Sequence, residues 1–421
     1  RSHLEVAIVL TFLLHILFVN LMVGGSVLTF VFQLLGRRHR DYDRLARQIG
    51  ATITVNKSLA VVLGVGPLLA MNALYTLYFY SANALTGAAW ISIVPLVAMA
   101  FLVTYAHKYS WDRLSDHRGL HISIGAVATF LFLTIPFIFL ANVNLMLFPD
   151  AWPEVAGFLS TVTLPNVLPR YLHFIVASLA VTGLFLAFYF GRKTFPAEEI
   201  FETFDRSTLR RRFLALAFGA TGVQVIAGPL LLLTLPDRGL GWNLFGVLTL
   251  GVAIAVGAAW LLWREMLAHR PGIGVRLPVI AILLGYTVLF MGITRHVYRE
   301  NALEPHRRLV AQHMQTHRTQ LLAAEMRKQA GVTRQTQPDL PPGQKTYQAV
   351  CSSCHAPDTR LVGPPLNEIR EIYQGRQDQF IAWVRDPGRK REDYPPMPAI
   401  KLTPDQYEAV ADYVLEEGET G

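Results

Sequence analysis

Eight apolar segments dominate the first 296 residues, and each is long enough to cross a lipid bilayer as a helix. Their approximate spans are 4–35, 53–80, 88–107, 120–148, 168–191, 213–235, 243–263 and 276–296. Of the whole chain, 52% is hydrophobic and only 16% is charged, whereas the last 125 residues are polar and charged. We therefore predict an all-α protein, namely a polytopic membrane helix bundle of eight spans followed by a soluble C-terminal domain.

The charges in the loops orient these spans. The loops after spans 1, 3, 5 and 7 contain 17 lysines and arginines, whereas the opposite side contains three, Arg1, Arg170 and Arg238. Because cytoplasmic loops carry the excess of positive charge, both termini are predicted to be periplasmic. Membrane topology thus accounts for the net charge of +8, and no nucleic acid partner is expected.

The only two cysteines of the chain lie in one short motif, Cys351-Ser-Ser-Cys354-His355. This C-x-x-C-H pattern is the attachment signature of a c-type haem. Cys351 and Cys354 would form the thioethers, and His355 would become an axial ligand of the iron. A disulfide or zinc loop is the alternative. Because c-type haems are attached outside the bacterial cytoplasmic membrane, the motif agrees with the topology predicted from the loop charges.

Residues 343–421 carry further features of a small haem domain. The motif is followed by Gly363-Pro364-Pro365-Leu366, a middle helix around 380–384, Met397 between prolines, and a closing helix from Thr403. This order resembles a class I cytochrome c over the whole segment, and the resemblance implies that Met397 is the second axial ligand of haem c. The alternative role for Met397 is that of a buried packing residue. Residues 300–342 are interpreted as an amphipathic helix and a proline-rich linker.

Three histidines are expected at similar depth near the outer face of the membrane: His15 in span 1, His173 in span 5 and His296 at the end of span 8. Ionisable residues at such positions are functional candidates by default. Each one alone could be a hydrogen-bonded packing residue, but their common depth favours the binding of one or two b-type haems. The histidines predicted at the inner side are interpreted chiefly as solvated loop residues or interfacial caps, with a ligand role as the alternative for His121; they are His39, His107, His117, His121 and His269.

Residues 1–299 resemble subunit I of the cytochrome bd oxidases. The matching residues are His15-Ile-Leu-Phe-Val, Trp111-Asp112-Arg113-Leu114, Ala141-Asn142, and His173 followed by Val176-Ala177-Ser178 and Val181-Thr182-Gly183. The resemblance implies that His15 binds a haem of an oxygen-reducing site and that His173 binds a low-spin haem b. It also makes Arg299 a cofactor-binding candidate, because the family has an arginine outside its eighth helix. His296 falls where the family has a haem-ligating glutamate.

The departures from that family bear on function. Its two acidic residues in the third helix have no counterpart in 93–99, and its large quinol-binding loop shrinks here to 236–242. A methionine partner for His173 in span 7 is also missing. These differences argue against oxygen reduction and against the family's usual quinol site.

Together these features predict a membrane-bound b- and c-type cytochrome subunit of the bacterial inner membrane. It is expected to pass electrons between the membrane, through a quinol or a membrane partner subunit, and a periplasmic cytochrome or other redox protein. No catalytic residue is assigned. One alternative is a terminal reductase of the bd superfamily that reduces oxygen or nitric oxide with electrons from its own haem c. Another is a haem-containing membrane anchor of a larger redox complex.

Overall fold

The computed structural model describes residues 2–268, 274–329, 340–389 and 391–416, without the side chains at 2, 53–59, 327–329 and 416. Within these ranges the secondary structure is helical, and no strand occurs. The chain divides into two compact units, Arg1–Gln312 and His313–Gly421. His269 and Pro338 lie outside the described residues.

Eleven of the described α-helices begin before residue 300. In chain order they are α1 (Ser2–Leu35), α2 (Arg40–Leu74), α3 (Thr76–Thr86), α4 (Ala88–Tyr109), α5 (Arg118–Leu145), α6 (Phe158–Val162), α7 (Val167–Gly191), α8 (Ala197–Ile200), α9 (Arg206–Leu233), α10 (Trp242–Leu267) and α11 (Arg276–Gln329). Short 3₁₀ helices cover Pro149–Glu154 and Asp237–Gly239.

The apolar helices have the length and composition of membrane spans. Seven of the described helices are long and apolar enough to cross a membrane, and eight result if one bent pair is counted as a span. Many of their apolar side chains face outward; Val94 and Ile226, for example, are 76% and 75% exposed. Such surfaces suit contact with lipid rather than water.

The second predicted span, 53–80, differs from a straight helix. Helix α2 ends at Leu74, and α3 continues after Tyr75 at an angle of 110° to the segment Ala60–Leu74. Tyr75 is only 1% exposed, and its hydroxyl donates a hydrogen bond of 2.6 Å to Glu300. Side-chain contacts to α11 thus hold the residue at which the backbone turns.

Small residues set the spacing of α1, α7 and α9. A Cβ atom at Gly24 would lie 2.9 Å from the backbone carbon of Ser178, and one at Gly183 would lie 3.0 Å from the backbone nitrogen of Ala217. The hydroxyls of Ser178 and Thr182 donate to the side chain and backbone oxygens of Asn20, at 3.0 and 3.1 Å. Close backbone approach with hydrogen bonds between helices is typical of membrane bundles.

Helix α11 contacts the bundle mainly through its side chains. Among the described residues it has no extensive close backbone interface with another helix. One of its approaches is at Gly292, where a Cβ atom would lie 3.7 Å from Leu13 of α1. Another is at Gly251 of α10, where a Cβ atom would lie 3.0 Å from Cβ of Phe290.

The second unit contains four short helices after residue 340: α12 (Pro342–Thr346), α13 (Leu366–Tyr373), α14 (Gln377–Arg385) and α15 (Pro404–Glu416). A π-helical turn covers Tyr347–Cys351. Helices α12 and α15 cross closely, because a Cβ atom at Gly343 would lie 2.7 Å from Cβ of Tyr413. The core consists of Tyr347, Leu366, Tyr373, Phe380, Val384, Tyr407, Val410, Ala411 and Val414.

The closing helix begins as the sequence predicts. The amide of Gln406 donates to the Thr403 hydroxyl at 3.4 Å, and the amide of Thr403 donates to the Gln406 side chain at 3.0 Å. This reciprocal pair is a capping box, with Pro404 in the first turn.

Candidate cofactor sites

The C-x-x-C-H motif follows the π-helical turn and forms a tight loop. The amides of Cys354 and His355 both donate to the carbonyl of Cys351, at 3.1 and 3.0 Å. Both thiols are free and half-buried, and Cys351 packs against the core of the second unit. Burial raises the pKa of the Cys351 thiol, and the neighbouring Cys354 adds to that effect.

Hydrogen bonds fix His355 at its imidazole and at its backbone carbonyl. Its Nδ1 donates to the carbonyl of Pro364 at 2.8 Å, and its own carbonyl accepts from the Tyr347 hydroxyl at 2.6 Å. A Cβ atom at Gly363 would lie 2.8 Å from Nδ1 and 2.9 Å from Nε2, so only glycine lets the backbone pass this close to the ring. With Nδ1 used as a donor, Nε2 carries the lone pair that a metal would need.

Met397 packs against the same core as Cys351. Its amide donates to the carbonyl of Gly388 at 3.3 Å. Nearby, Tyr394 donates to Glu368 of α13 at 3.2 Å, and Arg391 forms ion pairs with Glu368 and Asp393. The loop that carries Met397 is thus attached to α13 by polar contacts, while its methionine joins the apolar core.

A family model for cytochrome c matches residues 341–417, which include this motif, this loop and all four helices. Residues 341–417 form a cytochrome c domain. Among curated proteins, none matches the chain.

The cytochrome c domain implies a covalently bound haem c and a role in electron transfer. Its predicted ligand residues fit that group. The free thiols and the tethered imidazole supply the required donors. Leu361 and Val362, in the loop after the motif, are 52% and 53% exposed and offer apolar surface to a porphyrin.

In the first unit, His15 is positioned by α2. Its Nδ1 donates to the carbonyl of Ala60 at 2.9 Å, and Gly64 lies beside the ring, since a Cβ there would approach Cε1 to 2.9 Å. As at His355, a backbone carbonyl fixes one ring nitrogen, so that Nε2 is the candidate ligand atom.

His173 has a different environment. Its Nδ1 is buried and has no hydrogen-bond partner among the described residues, and the same holds for Oε1 of Gln224. The amide of Gln224 donates to the backbone carbonyl of His173 at 3.0 Å. A buried ring nitrogen without a partner is costly, and coordination of a metal would satisfy it.

His296 belongs to a polar chain. The Tyr75 hydroxyl lies 3.4 Å from Nδ1 of His296 and donates to Glu300 at 2.6 Å. Arg307 donates to both carboxylate oxygens of Glu300, at 2.5 and 3.1 Å. Arg299, the predicted cofactor-binding arginine, is 6% exposed, and its guanidinium lies 4.8 Å from the ring centroid of Tyr75.

We call His15, His173 and His296 the membrane histidine cluster. Arginines connect the helices that carry these three residues. No hydrogen bond or ring contact joins two of the three imidazoles within the part of the chain that the structure describes. Arg295, next to His296, lies 4.9 Å from the ring centroid of Phe12, almost one turn before His15. Arg295 also interacts electrostatically with Arg170, one turn before His173.

Two of the histidines predicted at the inner side are buried rather than solvated, and one of them, His121, caps the last turn of α4 by donating from Nε2 to the His107 carbonyl at 2.9 Å. His107 and His121 are 4% and 5% exposed, and their rings stack with centroids 4.3 Å apart. Gln33 bridges them, accepting from His107 at 3.0 Å and donating to His121 at 2.6 Å. Trp111 packs edge-on against both rings. His39 and His117 are exposed, as predicted.

Sequence reasoning missed this pair because its partner, Gln33, lies 74 residues before His107 on another helix. Only a single signal in the sequence points to it. Trp111-Asp112-Arg113-Leu114 supplies the covering indole and the carboxylate that Arg47 binds at 2.7 and 2.6 Å. His107, Trp111 and the Arg47–Asp112 ion pair line a cavity of about 300 Å³.

Proposed function

We propose that this chain is a membrane-bound b- and c-type cytochrome subunit that passes electrons between the membrane and a redox protein outside it. The observation that carries the proposal is the combination of a cytochrome c domain with a bundle in which three helices bring histidines and arginines to one region. A quinol or a membrane partner subunit would be one electron partner, and a periplasmic cytochrome the other. The cytochrome c domain would face the periplasm.

Within the cytochrome c domain, Cys351 and Cys354 would form the thioethers, and His355 and Met397 would be the axial ligands. The hydrogen bond from His355 to Pro364 supports this assignment because it fixes the ligand tautomer. The place of Met397 beside Cys351 in one apolar core supports it as well. His/Met ligation raises the reduction potential, which suits exchange with a soluble partner.

Within the bundle, His15, His173 and His296 would bind one or two b-type haems. The buried, unpaired Nδ1 of His173 supports this part of the proposal. These residues fit a non-covalent haem, whose iron would accept ring nitrogens and whose plane would fill space between helices. Electron transfer of this kind needs no acid or base from the protein.

A pyridine haemochrome spectrum of the purified protein tests the proposal. We expect one haem c and one or two haems b per chain. His173→Phe should lower the haem b content and leave haem c unchanged. His317→Phe, at an exposed position of α11, is the matched control and should change neither. A wild-type spectrum with haem c alone would overturn the membrane part of the proposal.

A terminal reductase of oxygen or nitric oxide is the second candidate, and the polar chain at His296 favours it. Such a reaction consumes protons, and the contacts from Glu300 through Tyr75 to His296 form a continuous hydrogen-bonded path, with Arg307 holding Glu300 in place. Carbon monoxide distinguishes the two functions. Added to the reduced protein, it should shift the haem b spectrum only if a five-coordinate haem is present.

A further inference from the structure

Three arginines surround the membrane histidine cluster: Arg170 on α7, and Arg295 and Arg299 on α11. Arg170 lies three residues before His173, while Arg295 and Arg299 lie four residues apart and share one face of α11. The neighbours that act electrostatically on Arg295 are Arg299, Arg170 and Tyr75, and those that act on Arg170 are Arg299 and Tyr298. None of these described neighbours is a carboxylate.

The acidic residue nearest in sequence is already engaged. Glu300, which follows Arg299, pairs with Arg307 and accepts from Tyr75. The three arginines therefore form a concentration of positive charge, which we call the arginine cluster. Like charges in a region of low dielectric repel one another strongly unless an anion accompanies them.

Hydrogen bonds within the bundle hold one member of the arginine cluster, Arg170, in a defined orientation. Nε of Arg170 donates at 2.9 Å to the side chain of Asn166, which is 1% exposed. Asn166 is anchored in turn by donating to the Leu231 carbonyl at 2.7 Å and to the Thr234 hydroxyl at 2.9 Å. A buried amide thus orients Arg170 and leaves its two terminal nitrogens for another acceptor.

Unlike Nε of Arg170, Nε of Arg295 has no hydrogen-bond partner among the described residues. The guanidinium of Arg295 lies 4.9 Å from the ring centroid of Phe12, and its Nε is buried. A buried guanidinium nitrogen without an acceptor destabilises a fold, so an anion at this place would stabilise the protein. Guanidinium groups bind carboxylates and phosphates through paired hydrogen bonds.

We infer that Arg170 and Arg295, together with Arg299, bind the propionate carboxylates of haem in the bundle. The inference rests on the proposed function, because it takes the membrane histidine cluster as the iron ligands. A b-type haem has two propionates on one edge, which matches a cluster of positive charge beside its histidines. The two carboxylates would neutralise most of the cluster, and the cluster would stabilise the ferrous, more negative haem.

The experiment compares Arg170→Gln and Arg295→Gln with Arg170→Lys and Arg295→Lys in the full-length protein. Two readouts are used: the ratio of haem b to haem c and the haem b midpoint potential. Each Gln variant should shift the ferric to ferrous ratio about tenfold towards ferric at fixed ambient potential, which corresponds to a potential about 59 mV lower. The Lys variants keep the charge and should shift it less.

Two arginines outside the cluster serve as matched controls. Arg192 is at the other end of α7, where it stacks on Tyr189, and Arg308 is an exposed residue of α11 paired with Glu304. Arg192→Gln and Arg308→Gln should leave both readouts unchanged. Haem c absorbance in the same sample measures the amount of folded protein, so that a Gln variant with lost haem b but intact haem c also supports the inference.

Infrared difference spectra of reduction identify the anion. Propionate carboxylate bands that shift in Arg295→Lys relative to wild type support the inference even where the Gln variants accumulate poorly. Phosphate bands that shift instead would assign the cluster to a lipid headgroup and overturn it. If all four variants keep the wild-type haem b content, midpoint potential and carboxylate bands, the inference is overturned and the proposed function is not. If the wild-type protein contains no haem b, the proposed function is overturned as well.

Discussion

Nδ1 of His355 donates a hydrogen bond of 2.8 Å to the backbone carbonyl of Pro364, nine residues later in the chain. The bond closes a loop in which the backbone of Gly363 passes beside the imidazole. The segment between the motif and Pro365 therefore holds the imidazole of His355 in place. Gly363 is part of that arrangement because it has no side chain.

Gly363→Ala should disturb the proposed haem c ligation. The new Cβ would lie 2.8 Å from Nδ1 of His355, closer than side chains tolerate, so the ring or the loop must shift. We expect a destabilised cytochrome c domain and an altered haem c spectrum, measured by thermal unfolding and visible absorption. Gly388→Ala is the matched control, because a Cβ there meets Trp383 at an ordinary 3.6 Å. Equal behaviour of the two variants would contradict the role given to Gly363.

Met397→Ala should lower the haem c midpoint potential and remove the far-red charge-transfer band of a methionine–iron bond, because the thioether ligand raises the potential. Redox titration and absorption of the ferric protein measure both effects. Met314→Ala, at a residue of α11 that is 66% exposed, should leave both unchanged. A wild-type potential and an intact band in Met397→Ala would show that the methionine only packs.

Glu265→Gln should lower the free energy of unfolding of the bundle by about 3–5 kcal/mol, because it leaves the buried charge of Arg210 with a weakened partner. Arg210 and Glu265 are 2% and 0% exposed, and they form an ion pair between α9 and α10. Denaturant unfolding in detergent provides the measurement. The double variant Arg210→Met/Glu265→Leu should lose less than Glu265→Gln.

An exposed ion pair supplies the control for this prediction. Arg308 and Glu304 are 74% and 48% exposed, so Glu304→Gln should cost no more than about 0.5 kcal/mol. If Glu265→Gln costs as little, the buried pair does not stabilise the α9–α10 contact.

Asp41→Asn should destabilise the loop that contains Glu202 and Thr203 by about 1–3 kcal/mol near neutral pH. Burial acts to raise the pKa of Asp41, but hydrogen bonds from Thr203, the Glu202 amide and Arg44 outweigh it and hold the pKa below its ordinary value of 3.8. Since the folded-state pKa is lowered, the stabilisation is present above about pH 4 and is lost as the pH falls further.

Thermal unfolding of wild type and Asp41→Asn at several pH values measures this effect. The difference in melting temperature should be largest near neutral pH and shrink below pH 3.8, where Asp41 is protonated first in the unfolded chain and then, at lower pH, in the folded protein. Asp205→Asn is a useful comparison, because Asp205 is an N-cap that accepts from Thr208 of its own helix and does not tie that loop to α2. A difference independent of pH would contradict the assignment of the charge on Asp41.

The sequence predicts the helices whose apolar runs have clear ends. The span 168–191 corresponds to α7, Val167–Gly191, and 243–263 lies within α10, Trp242–Leu267, because polar residues bound both runs. The cytochrome c domain was also predictable, since its motif, proline-flanked methionine and capped closing helix are local in sequence. These features need no knowledge of the tertiary structure.

The remaining features depend on contacts that no local pattern shows. The break after α2 involves Tyr75 and Glu300, which are 225 positions apart. The buried state of His107 and His121 depends on Gln33 from α1. The sequence pattern presents Arg170 only as a loop charge, whereas in the structure the buried Asn166 holds its side chain.

The crossing of α1 and α7 at Gly24 has a consequence for kinetics. His15 and His173 belong to these two helices, and the crossing has no room for an added carbon atom. Haems bound to the two histidines, as proposed, would keep a constant separation through oxidation and reduction. The rate of electron exchange between them would then follow the driving force, with no contribution from gating by helix movement.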